Sequence, residues 1–371
     1  MKIGIIGTRG IPNNYGGFEQ FAEYLAEGLV KRGIEVTVYN SHNHPFQEQV
    51  WRGVDIVHCY DPEDKYGTIG QFIYDLNCII DSRKRNFDII LQLGYTSSTV
   101  WGWLLPFRKS IVTTNMDGLE WVRTKYSKPV RKFLKFAEYL ATKFSNHWIS
   151  DSIGIQEYLE KEYKLQSVYI PYGAFAFENP DVSALEKYQL SPFQYNMLIA
   201  RLEPENNIET ILDGVVESKI DKPFLVVGKH ETSFGRYLKD KFKDYPHIQF
   251  IGGIFDINVL NNLRYYSNLY FHGHSAGGTN PSLLEAMASG ALICAHQNTF
   301  NGAILEKDAF YFKESGEVSA ALQNVQKSEH LTKTEANVEK IRKIYSWEII
   351  IEQYLNHFLE IYKKDKVLHN A

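Results

Sequence analysis

Cysteine is scarce in this sequence: Cys59, Cys78 and Cys294 are its only three, far apart and without metal-ligand spacing. An odd, sparse set excludes a disulfide framework and predicts reduced thiols in a cytoplasmic protein. No apolar run approaches the roughly 18 residues that a membrane span requires. The first residues pass directly into Lys2-Ile3-Gly4-Ile5-Ile6-Gly7, a strand pattern rather than a leader. A net charge of −4 lacks the basic excess of a general nucleic-acid binder. Internal repeats and low-complexity tracts are also missing. What is present is globular in character, with 44% hydrophobic and 23% charged residues. At 371 residues the chain is long enough for two cores.

The organisation is a long alternation of short apolar runs with helical periodicity. Segments 3–6, 35–39, 55–57, 88–93, 110–113, 147–150 and 168–170 read as buried parallel strands, rich in Ile and Val. Residues 171–192 interrupt the rhythm with prolines, a glycine and aromatics, and read as a linker. A second series follows at 196–199, 223–227, 248–251, 269–271 and 291–294. Two successive βα series predict an α/β protein of two doubly wound, Rossmann-like domains with a cleft between them. The expected divisions are 1–175, 176–345 and a terminal helix over 346–371 that begins near Trp347.

Two glycine-rich loops stand out. Gly4-x-x-Gly7-x-x-Gly10 superficially matches the turn of short-chain dehydrogenases and sugar-nucleotide epimerases. The Tyr-x-x-x-Lys those enzymes need is met by Tyr139/Lys143, Tyr237/Lys241 and Tyr362/Lys366 alike, as chance would allow. The loop also runs on through Ile11-Pro12-Asn13-Asn14-Tyr15-Gly16-Gly17 before any helix starts. The second loop, Ser275-Ala276-Gly277-Gly278-Thr279-Asn280-Pro281, follows an apolar run and opens a helix. The free N–H groups of a first helical turn and the helix dipole favour an anion there. Glu285, one turn inside, suits ribose hydroxyls better than phosphate; the alternative is a glycine turn with a solvated Glu.

Several segments occur in an order that carries a family resemblance: Gly7-Thr8-Arg9-Gly10-Ile11-Pro12 through Gly16-Gly17-Phe18-Glu19, Asn115-Met116-Asp117-Gly118, Ser150-Asp151-Ser152, Pro171-Tyr172-Gly173, Ala200-Arg201-Leu202-Glu203-Pro204-Glu205-Asn206, and Gly277 to Gly290. The chain resembles the family 4 retaining glycosyltransferases, and within them the bacterial polysaccharide rhamnosyltransferases. The resemblance implies the GT-B fold, two facing Rossmann-like domains with a C-terminal helix crossing back to the first. It implies transfer of a sugar, L-rhamnose from dTDP-β-L-rhamnose, onto a lipid-linked saccharide for a bacterial surface polysaccharide. The nucleotide sugar is then a co-substrate and there is no cofactor. Asp-x-Asp, the metal clamp of the other major glycosyltransferase fold, is absent, and no metal site is expected.

Roles carried over by the resemblance fall on three groups. Arg201 faces the diphosphate, with Gly277, Gly278, Thr279, Asn280 and Glu285 completing the donor site. Arg9, Tyr15, Gly16 and Gly17 form the acceptor-side loop, and Arg9 is a second candidate for the phosphates. Asp117, Asp151 and Tyr172 are candidates, with Arg201, for catalysis and acceptor positioning. Each has a plainer alternative: Arg201 paired with Glu203 or Glu205, Asp151 as a helix cap, Asp117 in a turn, Tyr172 in core packing. His272 and His274 beside the donor loop read as structural. Two departures from the family pattern are Gly277, where a first glutamate is usual, and Asn206, where a lysine is usual. Other readings are a sugar-nucleotide epimerase and a non-catalytic GT-B scaffold.

A last feature concerns location. Residues 122–136 carry Arg123, Lys125, Lys128, Arg131, Lys132 and Lys135 with no acid, interleaved with Tyr126, Phe133, Leu134 and Phe136. This pattern fits peripheral contact with the inner face of the cytoplasmic membrane, or a solvated helix face.

Overall fold

The computed structural model describes residues 1–14, 16–123, 126–254, 256–275 and 277–369. The chain forms two compact units, one of Met1–Trp121, Ser127–Tyr172 and Trp347–Ala371, the other of Val122–Tyr126 and Gly173–Ser346.

Among the described residues, the first unit holds an eight-stranded sheet. In chain order its strands are β1 (Lys2–Ile6), β2 (Glu35–Ser41), β3 (Val50–Trp51), β4 (Val54–Cys59), β5 (Ile89–Leu93), β6 (Ile111–Asn115), β7 (His147–Ser150) and β8 (Val168–Tyr169). Their spatial order is β3-β4-β2-β1-β5-β6-β7-β8, parallel except for β3 against β4. Strands covered on both faces must be apolar nearly throughout, and every residue of β5 is buried. The order reverses between β1 and β5, the switch point at which open α/β sheets bind ligands.

The second unit repeats the plan with β9 (Asn196–Ile199), β10 (Phe224–Val227), β11 (Ile248–Gly252), β12 (Leu269–His272), β13 (Ile293–His296) and β14 (Phe310–Phe312). The order β11-β10-β9-β12-β13-β14, all parallel, is the Rossmann order 3-2-1-4-5-6. Its switch point lies between β9 and β12. Leu198, Val226, Phe271 and Phe312 form its core with the facing helices. Sequence periodicity misses β3 and β14, the one a two-residue hairpin arm and the other a Phe-Tyr-Phe triplet. The expected linker is mostly irregular, and from Gly173 on it belongs to this unit: Val182–Tyr188 forms a short 3₁₀ helix with Leu185 buried, and the Asp181 N–H donates to Asn262 Oδ1 at 2.7 Å.

The terminal helix Trp347–His369 is part of the first unit. Ile350, Tyr354, Phe358 and Ile361 are buried at helical spacing. Tyr354 meets Phe21 edge-on at 5.2 Å, and Arg32 holds Glu348 and Glu352. All three cysteines are buried free thiols. No helix among the described residues is long and apolar enough to cross a membrane.

The turn that leaves β1 requires glycine. Gly7 has φ +85°, and a Cβ there would lie 2.3 Å from the Leu93 carbonyl oxygen at the end of β5. Gly7→Ala is expected to cost about 2–3 kcal/mol, read as a lower denaturant midpoint for the first unit.

Candidate functional site

The second unit's candidates gather at its switch point. Arg201 leaves β9 with its side chain exposed. Its carbonyl accepts from the Glu203 N–H at 2.8 Å and from Asn206 Nδ2 at 2.7 Å. Among the described residues no ion pair joins Arg201 to Glu203 or Glu205, so the surface-pair alternative falls. Asn206 is buried and its amide is turned back onto the chain, which makes it a brace rather than a phosphate donor.

The loop after β12 is gripped from both sides. Asn207 Nδ2 donates to the Gly273 carbonyl at 2.8 Å. Asn298 and Asn301 donate to the His274 carbonyl at 3.0 and 3.1 Å. The Ser275 N–H and hydroxyl both donate to the Glu205 carbonyl, at 3.2 and 2.7 Å. A Cβ on Gly273 would lie 2.0 Å from the Asn206 carbonyl oxygen, so these two loops approach as closely as glycine allows. Asn207, Asn298 and Asn301 were not singled out by sequence; only the Asn-x-x-Asn spacing ahead of a short helix hints at the last two.

The anion-binding expectation needs correction in detail. In the helix Pro281–Ala288 the first turn offers no spare donors: Pro281 has no N–H, Asn280 Oδ1 accepts from Ser282, and the Asn280 carbonyl accepts from Leu283 and Leu284. The available amides lie earlier. Among the described residues the Gly277 and Gly278 N–H groups have no protein acceptor, and both line an open concavity with His274, Ser275, Asn280 and Phe300. Thr279 is buried. Gly277 adopts φ +120°, with nothing within 4 Å of the place a Cβ would take. The missing glutamate is thus accompanied by a backbone that side-chain-bearing residues avoid.

Glu285 is half-buried, and its Oε2 accepts from Arg264 Nη2 at 2.7 Å. Arg264 is itself 1% exposed and also bonds Ser282 and Asn261. This ion pair fixes the carboxylate on its helix. The signal for Arg264 was a charge on an apolar stripe, since Leu260 and Leu263 share its buried face.

In the first unit the loop after β1 is held by Glu19, 4% exposed, whose Oε1 accepts from the Thr8 hydroxyl at 3.2 Å and the Arg9 N–H at 2.9 Å. The Arg9 guanidinium forks onto Glu63 at 3.0 and 2.8 Å. That bidentate pair commits Arg9 to bracing the loop, a correction to its candidacy for phosphate. Gly16 is extended and Gly17 opens the helix Gly17–Val30; Tyr15 lies outside the described residues.

Asp117, Asp151 and Tyr172 follow β6, β7 and β8. Asp151 is fully buried. The cap of the next helix is Ser152, whose Oγ accepts from Ile155, and not Asp151. Asp117 precedes Gly118 at φ +59°, whose carbonyl accepts from the Tyr95 hydroxyl, so a turn is present as well. Tyr172 is buried edge-on against Phe21 at 5.3 Å. Burial raises its phenol well above the ordinary value, and the charges of Asp117 and Asp151 raise it further, with Tyr354 and Glu19 adding to the effect. Tyr172 therefore senses both carboxylates. Tyr354, whose hydroxyl accepts from Asn115 Nδ2 at 3.1 Å, joins them unforeseen. Two carboxylates beside phenols that stay protonated suit the orientation of a substrate hydroxyl.

With this geometry in view, comparison is informative. Residues 1–175 match a family model described as a domain of unknown function, DUF1972. The chain is similar to sucrose-phosphate synthase from Thermosynechococcus elongatus, with TM-score 0.79, 16% identity, and coverage of 98% of this chain and 99% of that one. It is similar to HepE of Anabaena in complex with UDP and glucose, at TM-score 0.76 and 15% identity over 97% and 99%. It is also similar to WaaG, a glycosyltransferase involved in lipopolysaccharide biosynthesis, at 0.68 and 12% over 94% and 97%. The fold is GT-B. No curated protein matches the sequence. Within that fold Arg201 and the glycine loop stand at the switch point of the second Rossmann-like unit, and the Asp117–Asp151–Tyr172 cluster stands at the carboxyl ends of strands in the first.

The histidines supply a pH test. His272 is 1% exposed, neither ring nitrogen has a hydrogen-bond partner, and it stacks on His274 at 4.4 Å. Burial, then the charges of His274 and Arg264, hold it well below its ordinary 6.5. His274 is lowered to about 3 by burial and by Arg201. The unfolded chain therefore binds more protons below pH 6.5, and stability is lost as pH falls from there toward 3. Asp75, raised to about 7 by burial, acts in the opposite sense. His272→Phe is expected to lose less stability between pH 6.5 and 4 than the parent, by denaturant titration; Asp75 cancels in the difference.

Proposed function

We propose that the chain is a retaining glycosyltransferase. The reading rests chiefly on one observation: an exposed, permanently charged Arg201 stands at the Rossmann switch point together with a glycine loop that has unspent amides. A diphosphate that gains negative charge as its sugar departs is the ligand those groups suit. HepE, of the same fold, has been solved with UDP and with UDP-glucose, which supports a nucleotide sugar as partner.

The donor of choice is dTDP-β-L-rhamnose. A 6-deoxy sugar does not need the carboxylate that Gly277 lacks, and the open space at Gly277 is consistent with that. The acceptor is a saccharide hydroxyl on a lipid-linked carrier, oriented by Asp117, Asp151 and Tyr172. The bond from C1 to the acceptor oxygen forms as the bond from C1 to the diphosphate breaks. The acceptor proton passes to the departing phosphate oxygen, and the nucleoside diphosphate leaves. Arg201 and the loop amides carry the charge without a metal. In this reading the enzyme works in the cytoplasm, peripherally on the membrane, in building a bacterial surface polysaccharide.

The test is incubation with dTDP-rhamnose, UDP-sugars and GDP-sugars and a short lipid-diphosphate saccharide, followed by mass spectrometry. One added deoxyhexose from dTDP-rhamnose alone is expected; an altered sugar nucleotide with no acceptor product would mean an epimerase. Arg201→Lys, which loses the planar fork, is expected to lower kcat about 100-fold.

A further inference from the structure

The helix Lys128–Lys143 buries Leu134, Ala137, Glu138, Ala141 and Thr142. At 100° per residue the opposite face carries Lys128, Lys132, Phe136, Tyr139 and Lys143 within an arc of about 80°. An outward face is ordinarily polar throughout. Here Phe136 is 53% and Tyr139 45% exposed, between lysines at either end, and the helix's one acid, Glu138, is 1% exposed. The segment packed on this helix continues the chemistry. Thr99 Oγ1 donates to the Ala137 carbonyl and Gly102 abuts Phe144, while the adjoining Trp103 is 62% exposed and Arg108 and Lys109 are exposed.

We propose that this face docks on an anionic lipid bilayer, with Phe136, Tyr139 and Trp103 entering the interface and Lys128, Lys132 and Lys143 facing lipid headgroups. Charge selects this occupant: exposed aromatics framed by cations of one sign, with no exposed acid on the helix, match a negative apolar-cored surface. The structure also changes which basic residues matter. Lys135 is enclosed by Trp121, Tyr158 and Tyr163 and bonded to Glu138 and the Tyr158 hydroxyl, and Arg131 Nε is spent on the Trp121 carbonyl. Lys125 lies outside the described residues, and Arg123 and Tyr126 group with the second unit.

The inference deepens the reading of a lipid-linked acceptor, and binding is measured without turnover so that the two fail separately. The whole protein is sedimented with vesicles of phosphatidylglycerol and phosphatidylcholine in equal parts, or of phosphatidylcholine alone. Binding to the anionic vesicles only is expected. Lys132→Glu with Lys143→Glu should weaken it about tenfold or more, since each basic residue is worth about fivefold. Phe136→Ser with Tyr139→Ser should also weaken it, while the circular dichroism spectrum and thermal midpoint stay those of the wild type. Wild-type protein that ignores anionic vesicles, or double variants that bind as tightly as wild type, would overturn the proposal.

Discussion

The second unit depends on how its sheet opens between β9 and β12. These strands are neighbours although about 70 residues separate them, so their loops emerge side by side and must be tied together in register. Four polar side chains do this by donating to backbone carbonyls: Asn207 to Gly273, Asn298 and Asn301 to His274, and Ser275 to Glu205. Each such bond is worth about 1 kcal/mol net, but a buried carbonyl left unmet would cost more. The result is a loop fixed at Gly273–Ser275 that releases two glycine amides immediately beyond it. Arg201, braced through its own carbonyl by Asn206, adds the charge.

The first unit solves a related problem with different chemistry. Its β1 loop is long, and the buried Glu19 carboxylate closes it by accepting from Thr8 and Arg9, while Asn40 bonds Ile11 through both amide atoms. The terminal helix contributes Tyr354 and His357, which meet Asn115 and Thr113 on β6. Polar groups thus converge where β6, β7 and β8 end, and burial keeps the phenols protonated beside Asp151 and Asp117. Hydrogen-bond donors and carboxylate acceptors in one place can orient a hydroxyl without supplying a nucleophile.

Much of the fold was legible in the sequence because parallel strands buried on both faces are runs of Ile, Val, Leu and Phe. β3 and β14 escaped since two residues, or three aromatics, carry no period. The positions of Arg201, Asp117, Asp151 and Tyr172 could be read because each directly follows such a run. What could not be read was where side chains spend their hydrogen bonds. Arg9 looks like an anion ligand until Glu63, 54 residues away, is seen to hold it. Asn206 looks like a donor until it is found bonded to Arg201. Arg264 and Asn298 were hidden for the same reason: their partners are distant in sequence and near only in the folded sheet. The first-turn amides failed as donors through local chemistry, since the Asn-Pro-Ser start of the helix caps itself.

Diphosphate binding by Arg201 and the glycine loop is measured by equilibrium titration. Nucleoside diphosphates, dTDP and UDP, would be compared with the corresponding monophosphates on the full chain and on Arg201→Gln. The better diphosphate is expected to bind about tenfold or more tightly than its monophosphate, as a charge-assisted contact would give, and Arg201→Gln is expected to abolish the difference. Equal affinity for diphosphate and monophosphate, or an Arg201→Gln protein that keeps the preference, would contradict it.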